Sequence, residues 1–251
     1  SPFTKNTWLI AEHSMTQTPA LGPFTGRGVR VALIDSGINA EHSHVESVAG
    51  GIGFSLAADG SVQESQDYTD QLGHGTALAG ILRAKAPQVS LYAVKIFADR
   101  LGGPLAVLEA GLRWAIEQHI KIINLSLGTN KLEHRDRLAV LVDQACAEGS
   151  ILVASSPPGL TDMFPAALPR VIGVAGDDQC GWEAYRYIPN DPIPFRAHLQ
   201  PRPLPGLPQE RNFRGHSFAS AHVSALLALH VQRRPGLTLG EAKSFLMTYP
   251  D

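Results

Sequence analysis

Cysteine is nearly missing from this chain: there are two in 251 residues, Cys146 and Cys180, with no Cys-x-x-Cys spacing. That excludes a disulfide-stapled scaffold and a thiolate metal knuckle, and leaves two thiols that read as unlinked. Charge of one sign is missing too. Lys and Arg number 21 against 23 Asp and Glu, a formal net charge of -2, so nothing marks out nucleic acid or a membrane surface as a partner. No apolar run reaches the length of about 20 residues that a membrane-spanning helix needs. The opening Ser1-Pro-Phe-Thr-Lys-Asn-Thr-Trp-Leu9 lacks the basic-then-apolar layout of an export signal. The histidines follow no His-Glu-x-x-His or comparable ligand spacing, so neither a catalytic metal nor a cofactor is expected.

What is present in quantity is core-forming material. Hydrophobic residues make up 44% of the chain, enough to read residues 1–251 as one large α/β domain. Strand-like runs at 29–34, 90–96, 120–127, 151–155 and 170–175 are short and rich in Val and Ile, as suits strands buried on both faces. Between them Leu105, Leu108, Leu112 and Ala115, then Leu138, Leu141, Val142 and Ala145, recur at helical spacing. Such alternation predicts right-handed crossovers and a mostly parallel β-sheet with helices on both faces. Functional residues should then collect at the carboxyl ends of the strands. One segment breaks the rhythm: 188–208 holds Pro189, Pro192, Pro194, Pro201, Pro203, Pro205 and Pro208. Proline is rejected by central strands and helix interiors, so the segment reads as an extended surface excursion.

Three stretches carry chemistry. Val31-Ala-Leu-Ile-Asp35-Ser-Gly37 puts a carboxylate at the end of an apolar strand. Gly73-His74-Gly-Thr76 sets an imidazole between two glycines, ahead of a small-residue helix. Gly215-His-Ser217-Phe-Ala-Ser220 places a hydroxyl at a helix start. A serine hydroxyl attacks poorly until a base takes its proton, and imidazole is a good base when a carboxylate fixes its tautomer. Asp, His, Ser is one of the known chain orders of that triad. Singly, each residue reads better as a structural one, Asp35 capping a turn, His74 capping a helix or satisfied in the core, Ser217 capping a helix; the ordered set of three points to Asp35, His74 and Ser217 as catalytic.

With these motifs the chain resembles the subtilisin-like serine peptidases, from about Gly26 to Leu246. Asp35-Ser-Gly-Ile38, with His42 after it, is similar to the family's aspartate motif. Gly73-His74-Gly-Thr-Ala-Leu-Ala-Gly80 is similar to its histidine motif, and Gly215-His-Ser-Phe-Ala-Ser-Ala-His-Val223 to its serine motif, with His216 where threonine is usual and Ala221 where proline is usual. Ser90–Ile96 and Ile123–Gly128 resemble core and substrate-binding strands. The resemblance implies a three-layer subtilisin-like sandwich and an endopeptidase working through an acyl-enzyme. It implies an extended peptide or protein substrate held between Leu101-Gly102-Gly103 and Ser126-Leu127-Gly128. By the same resemblance the loop 157–164 borders the pocket for the residue before the cut, where Asp162 reads as a solvated loop carboxylate or, alternatively, as a selector of a basic residue.

The departure lies at the oxyanion position. Where the family has an asparagine amide, Ile151-Leu-Val-Ala-Ser-Ser-Pro157-Pro158 offers Pro157, with neither side-chain amide nor N–H. Losing that donor lowers turnover on the order of 100- to 1000-fold, a magnitude established in a subtilisin. The Ser217 N–H remains, and His216 reads either as a surface histidine pointing to solvent or as a replacement donor, more strongly so if protonated. Ser155, Ser156 and Asn212 are further candidates. Three activities fit: a processing endopeptidase of restricted specificity, a pseudopeptidase that binds peptide with weak catalysis, and a cyclase or acyl transferase that excludes water with a covering insertion. The short 81–87 turn, in place of the calcium-binding insertion of many secreted relatives, and the lack of a visible prodomain favour a cytoplasmic processing role.

Overall fold

The computed structural model describes residues 22–248; the opening stretch read for an export signal lies outside them. Nine strands form one sheet in the order β3-β2-β4-β1-β5-β6-β7-β9-β8. They are β1 (Arg30–Asp35), β2 (Gly50–Leu56), β3 (Val62–Ser65), β4 (Ser90–Lys95), β5 (Ile122–Leu125), β6 (Ile151–Ser155), β7 (Ile172–Gly176), β8 (Tyr185–Tyr187) and β9 (Phe195–Ala197). Every neighbouring pair from β2 to β9 is parallel; antiparallel β3 and β8 close the two edges.

Alternation along β1 explains the layers. Val31 and Leu33 point into one core and Ala32 and Ile34 into the other, as the two-residue period of a strand requires. The first core is covered by α1 (His74–Lys85), α4 (His216–Arg233) and α5 (Leu239–Thr248). The second is covered by α2 (Leu105–Glu117) and α3 (Arg135–Ala147). The central strands β1, β5 and β6 are almost wholly buried, which accounts for their continuous Val/Ile/Leu composition. Chain order reverses across β1, with β4 on one side and β5 on the other. The carboxyl end of β1 is therefore a switch point, where open α/β sheets leave a crevice. Asp35 is its last residue.

The proline-rich stretch is not wholly a surface excursion. Residues 195–197 are β9, paired to β7 on one side and β8 on the other, and Phe195 and Ala197 are buried. The prolines flank this strand without entering it, so every ladder N–H survives. Only the part from Gln200 to Asn212 leaves the sheet. The run 120–127 also splits: β5 ends at Leu125, and 126–128 leaves the sheet to wall a cavity.

Candidate active site

The Asp35 motif and the His74 motif lock together through backbone as much as through side chains. Gly37 and Gly75 approach so closely that a Cβ on Gly75 would lie 2.0 Å from the Gly37 carbonyl oxygen. Glycine at 75 therefore lets the two segments meet. Ser36 Oγ accepts the Gly75 N–H at 2.9 Å. Asp35 Oδ1 accepts the Ser36 N–H at 2.8 Å, the Ser36 hydroxyl at 3.1 Å, and faces His74 Nδ1 at 2.7 Å. Asp35 is 1% exposed, and its Oδ2 has no hydrogen-bond partner among the described residues.

That geometry defines the imidazole's state. With Nδ1–H donated to Asp35, Nε2 is free to accept a proton. Burial disfavours the charged ring. The hydrogen bond and charge of Asp35, with Asp70 adding at longer range, outweigh it and hold His74 above the ordinary histidine value. Asp70 also caps α1: Oδ1 accepts the Leu72 and Gly73 N–H groups, and Oδ2 the Thr76 N–H and hydroxyl. Thr76 Oγ1 in turn accepts the Asn39 N–H at 3.0 Å, tying the β1 exit to the same helix start. Phe213 and Phe218 wall the imidazole, with ring centroids 6.1 and 5.2 Å away.

Ser217 stands in the first turn of α4, and its hydroxyl donates to the Ser126 carbonyl at 3.4 Å; the resting hydroxyl is thus engaged away from His74. Its position is fixed from below. Ser126 Oγ donates to the Ser217 carbonyl at 3.0 Å and accepts from Asn124 Nδ2 at 2.9 Å. Ser220 donates to the same carbonyl, and Ser224 donates to Asn124 Oδ1. This buried network pins the start of α4 to β5. The sequence reading missed the roles of Ser36, Asp70, Asn124, Ser220 and Ser224.

A cavity of about 360 Å3 opens beside Ser217, lined by Leu101, Gly102, Gly103, Ser126, Leu127 and Gly128. The two segments read as substrate-holding are thereby brought together with the serine. A Cβ on Gly128 would sit 2.7 Å from Met163 Sδ, so a side chain there would have to displace Met163. Its neighbour Thr129 exchanges two backbone hydrogen bonds with Phe164. Asp162 is exposed and does not line this cavity.

At the oxyanion end, Pro157 and Pro158 follow β6 after Ser156, and neither has a backbone N–H to offer. Ser156 Oγ donates to the Pro157 carbonyl and Asn212 Nδ2 to the Arg202 carbonyl, so both donors are committed elsewhere. His216 is half-buried rather than solvent-facing, and its Nδ1 accepts the Gly176 N–H at 3.0 Å. Its neutral proton therefore sits on Nε2. Burial, then Arg196 and Arg214, holds it below the ordinary histidine value. Any donation from His216 is that of a neutral N–H; the stronger, charged donor is disfavoured here. The Gly215 N–H bonds the Leu199 carbonyl at 2.9 Å, closing the base of the loop that runs from β9 to α4.

The model of the subtilase family matches residues 26–184. Curated relatives include the minor extracellular protease Epr of Bacillus subtilis, 32% identical over 85% of this chain and 34% of its own length. The thermostable alkaline protease of Halalkalibacterium halodurans is 32% identical over 92% of this chain and 64% of its own. A subtilisin of Bacillus pumilus is 30% identical over 93% of this chain and 88% of its own. The chain thus spans between one third and two thirds of the first two relatives. Among solved structures, a cold-adapted subtilisin-like serine proteinase superposes with a TM-score of 0.67 at 20% identity, covering 90% of this chain and 84% of that one. The chain belongs to the subtilase family and has its α/β sandwich. Ser217 lies beyond the stretch that the family model matches. Among the described residues no helix is long and apolar enough to cross a membrane, and no group of three His, Cys, Asp or Glu side chains is close enough to hold a metal.

Proposed function

We propose that this chain is a serine endopeptidase that cleaves an extended segment of a precursor peptide or protein. The observation that carries the reading is the 2.7 Å Asp35–His74 pair at the end of β1, beside a cavity that Ser217 lines. The Ser217 hydroxyl turns from Ser126 toward His74, a side-chain rotation that costs little. Its proton passes to His74 Nε2 as Oγ attacks the scissile carbonyl carbon. The oxyanion forms at the α4 N-terminus, where the Ser217 N–H is free to donate. The imidazolium returns the proton to the leaving amine, and water repeats the sequence on the acyl-enzyme. Asp35 holds the tautomer and balances the imidazolium charge throughout. Loss of the family's amide donor slows the attack, which fits processing of one substrate better than bulk digestion. The cytoplasmic setting belongs to the same proposal.

The paired prolines favour one second reading, a peptide-binding domain with vestigial catalysis. A fluorophosphonate probe with intact-mass detection separates the two. Stoichiometric labelling that disappears in Ser217→Ala supports the peptidase. An unlabelled protein, beside a labelled control hydrolase, favours the binding domain. The acyl-transfer alternative needs a segment that covers the site. Residues 188–208 instead supply β9 and one wall of a second cavity, so no observation favours it.

A further inference from the structure

A second cavity of about 370 Å3 lies at the start of α1, lined in part by Gly73 and Thr76, which flank His74 in the chain, and by Phe213, whose ring meets the imidazole edge to face. Its remaining wall is chemically distinct from that of the first. Arg202, His42 and His44 face it. Arg202 and His44 both pack on Gly80 of α1, where an added Cβ would lie 3.2 Å from His44 Cβ and 3.8 Å from Arg202 Cδ. His42 and His44 meet edge to face at 5.1 Å. The one carboxylate in the lining, Asp70, already accepts four hydrogen bonds from the start of α1. Among the described residues no hydrogen bond or ion pair engages the Arg202 guanidinium.

The loop that carries Arg202 is held in place by its backbone. The Arg202 carbonyl accepts from Asn212 Nδ2 at 3.0 Å, the Pro201 carbonyl from Gln209 Nε2 at 3.1 Å, and the Gln209 carbonyl from Gln200 Nε2 at 2.9 Å. A stapled loop thus presents a partly shielded cation, without a partner among the described residues, to a concave space. Unpaired arginine in such a place is suited to a planar anion, which it can grip with two parallel N–H groups.

Direction of cleavage assigns the side. In the proposed reaction His74 hands its proton to the leaving amine, so the leaving segment departs past His74. The Ser217-side cavity then holds the acyl part, and the Arg202 cavity lies on the path of the part released. We infer that this cavity is a leaving-group subsite that recognises a carboxylate within a few residues after the cut, gripped by Arg202 with His42 and His44 beside it. The inference rests on the endopeptidase reading for its direction, but not for its chemistry.

The carboxylate can be an Asp or Glu side chain or the substrate's own C-terminus, and matched peptides separate these sources. Substrates found by profiling a peptide library are resynthesised with Glu or Gln at each of the first four positions after the cut, and with a free or amidated terminus. We expect kcat/KM to favour Glu over Gln, or acid over amide, by about tenfold or more at one position. The ratio should fall to near one in Arg202→Gln, be partly kept in Arg202→Lys, and turn toward a Lys-bearing peptide in Arg202→Glu. Equal rates for Glu and Gln and for acid and amide in the wild type would overturn the subsite, as would a ratio that Arg202→Gln leaves unchanged. Should no peptide be cleaved, the peptidase reading falls separately. Anisotropy of a labelled Glu peptide and its Gln partner on the same variants then tests the carboxylate site alone, and equal binding of the two sinks it.

Discussion

The two ends of the proposed catalytic cleft are furnished very differently. At the Asp35–His74 end, a buried carboxylate, a glycine-to-glycine contact, the Ser36 bridge and the Asp70 cap all hold one imidazole in one orientation. At the oxyanion end, two prolines stand where a donor is wanted, Ser156 and Asn212 are committed elsewhere, and His216 gives one of its two nitrogens to Gly176. Proton-transfer machinery tolerates little loosening, because acid and base must face each other within hydrogen-bond distance. Oxyanion stabilisation degrades in steps, one donor at a time. A chain under pressure for slow, selective turnover can shed the second while keeping the first.

The comparison breaks most violently at the well-furnished end. His74→Ala and Asp35→Asn should each lower kcat by about 10^4-fold or more, and the double variant should be scarcely worse than the worse single one, as expected of groups acting as a unit. Losses that multiply in steady-state kinetics would contradict a shared proton path.

Acid titration probes the same end more gently. Because Asp35 and Asp70 outweigh burial and raise His74, kcat/KM should fall about tenfold per pH unit below a midpoint above the ordinary imidazole value of 6.5. Acid protonates the base, so activity is lost downward. Asp70→Asn should move the midpoint lower in a pH–rate profile, and an unmoved midpoint would remove Asp70 from the argument.

At the sparse end the effects are smaller. If His216 Nε2–H donates to the oxyanion, His216→Ala should lower kcat by roughly tenfold with little change in KM. Pro157→Asn should raise it where the loop can aim the amide. A change within about twofold in His216→Ala would leave the Ser217 N–H as the protein's donor and sharpen the contrast further.

The same contrast governs what the sequence could reveal. Asp35, His74 and Ser217 were legible because each sits in a local motif whose glycines are needed within two residues. β1, β4 and β6 were legible because burial on both faces demands unbroken apolar runs. The pairs β2–β3 and β8–β9 were not. Val62 is exposed, β3 carries no buried residue at all, and β9 is three residues long between prolines. The Asn124–Ser224 contact joins residues 100 apart in the chain, and nothing local to either hints at the other. Asp70 could have been found, since an Asp just ahead of a Gly-His-Gly-Thr helix start is a capping signal. Arg202 could not, because its meaning comes entirely from what α1 brings beside it.

The pinch between the Gly215 N–H and the Leu199 carbonyl has a consequence for how such a chain can evolve. Everything between those residues hangs from a closed clasp, and Ser217 sits just outside it. Closing a flexible loop becomes dearer by only about 0.6 kcal/mol for each doubling of length, and here the clasp fixes the ends whatever lies between. The intervening residues form a cassette that can be lengthened, shortened or rewritten while the serine keeps its place, so new substrate preferences can be tried without re-inventing the chemistry.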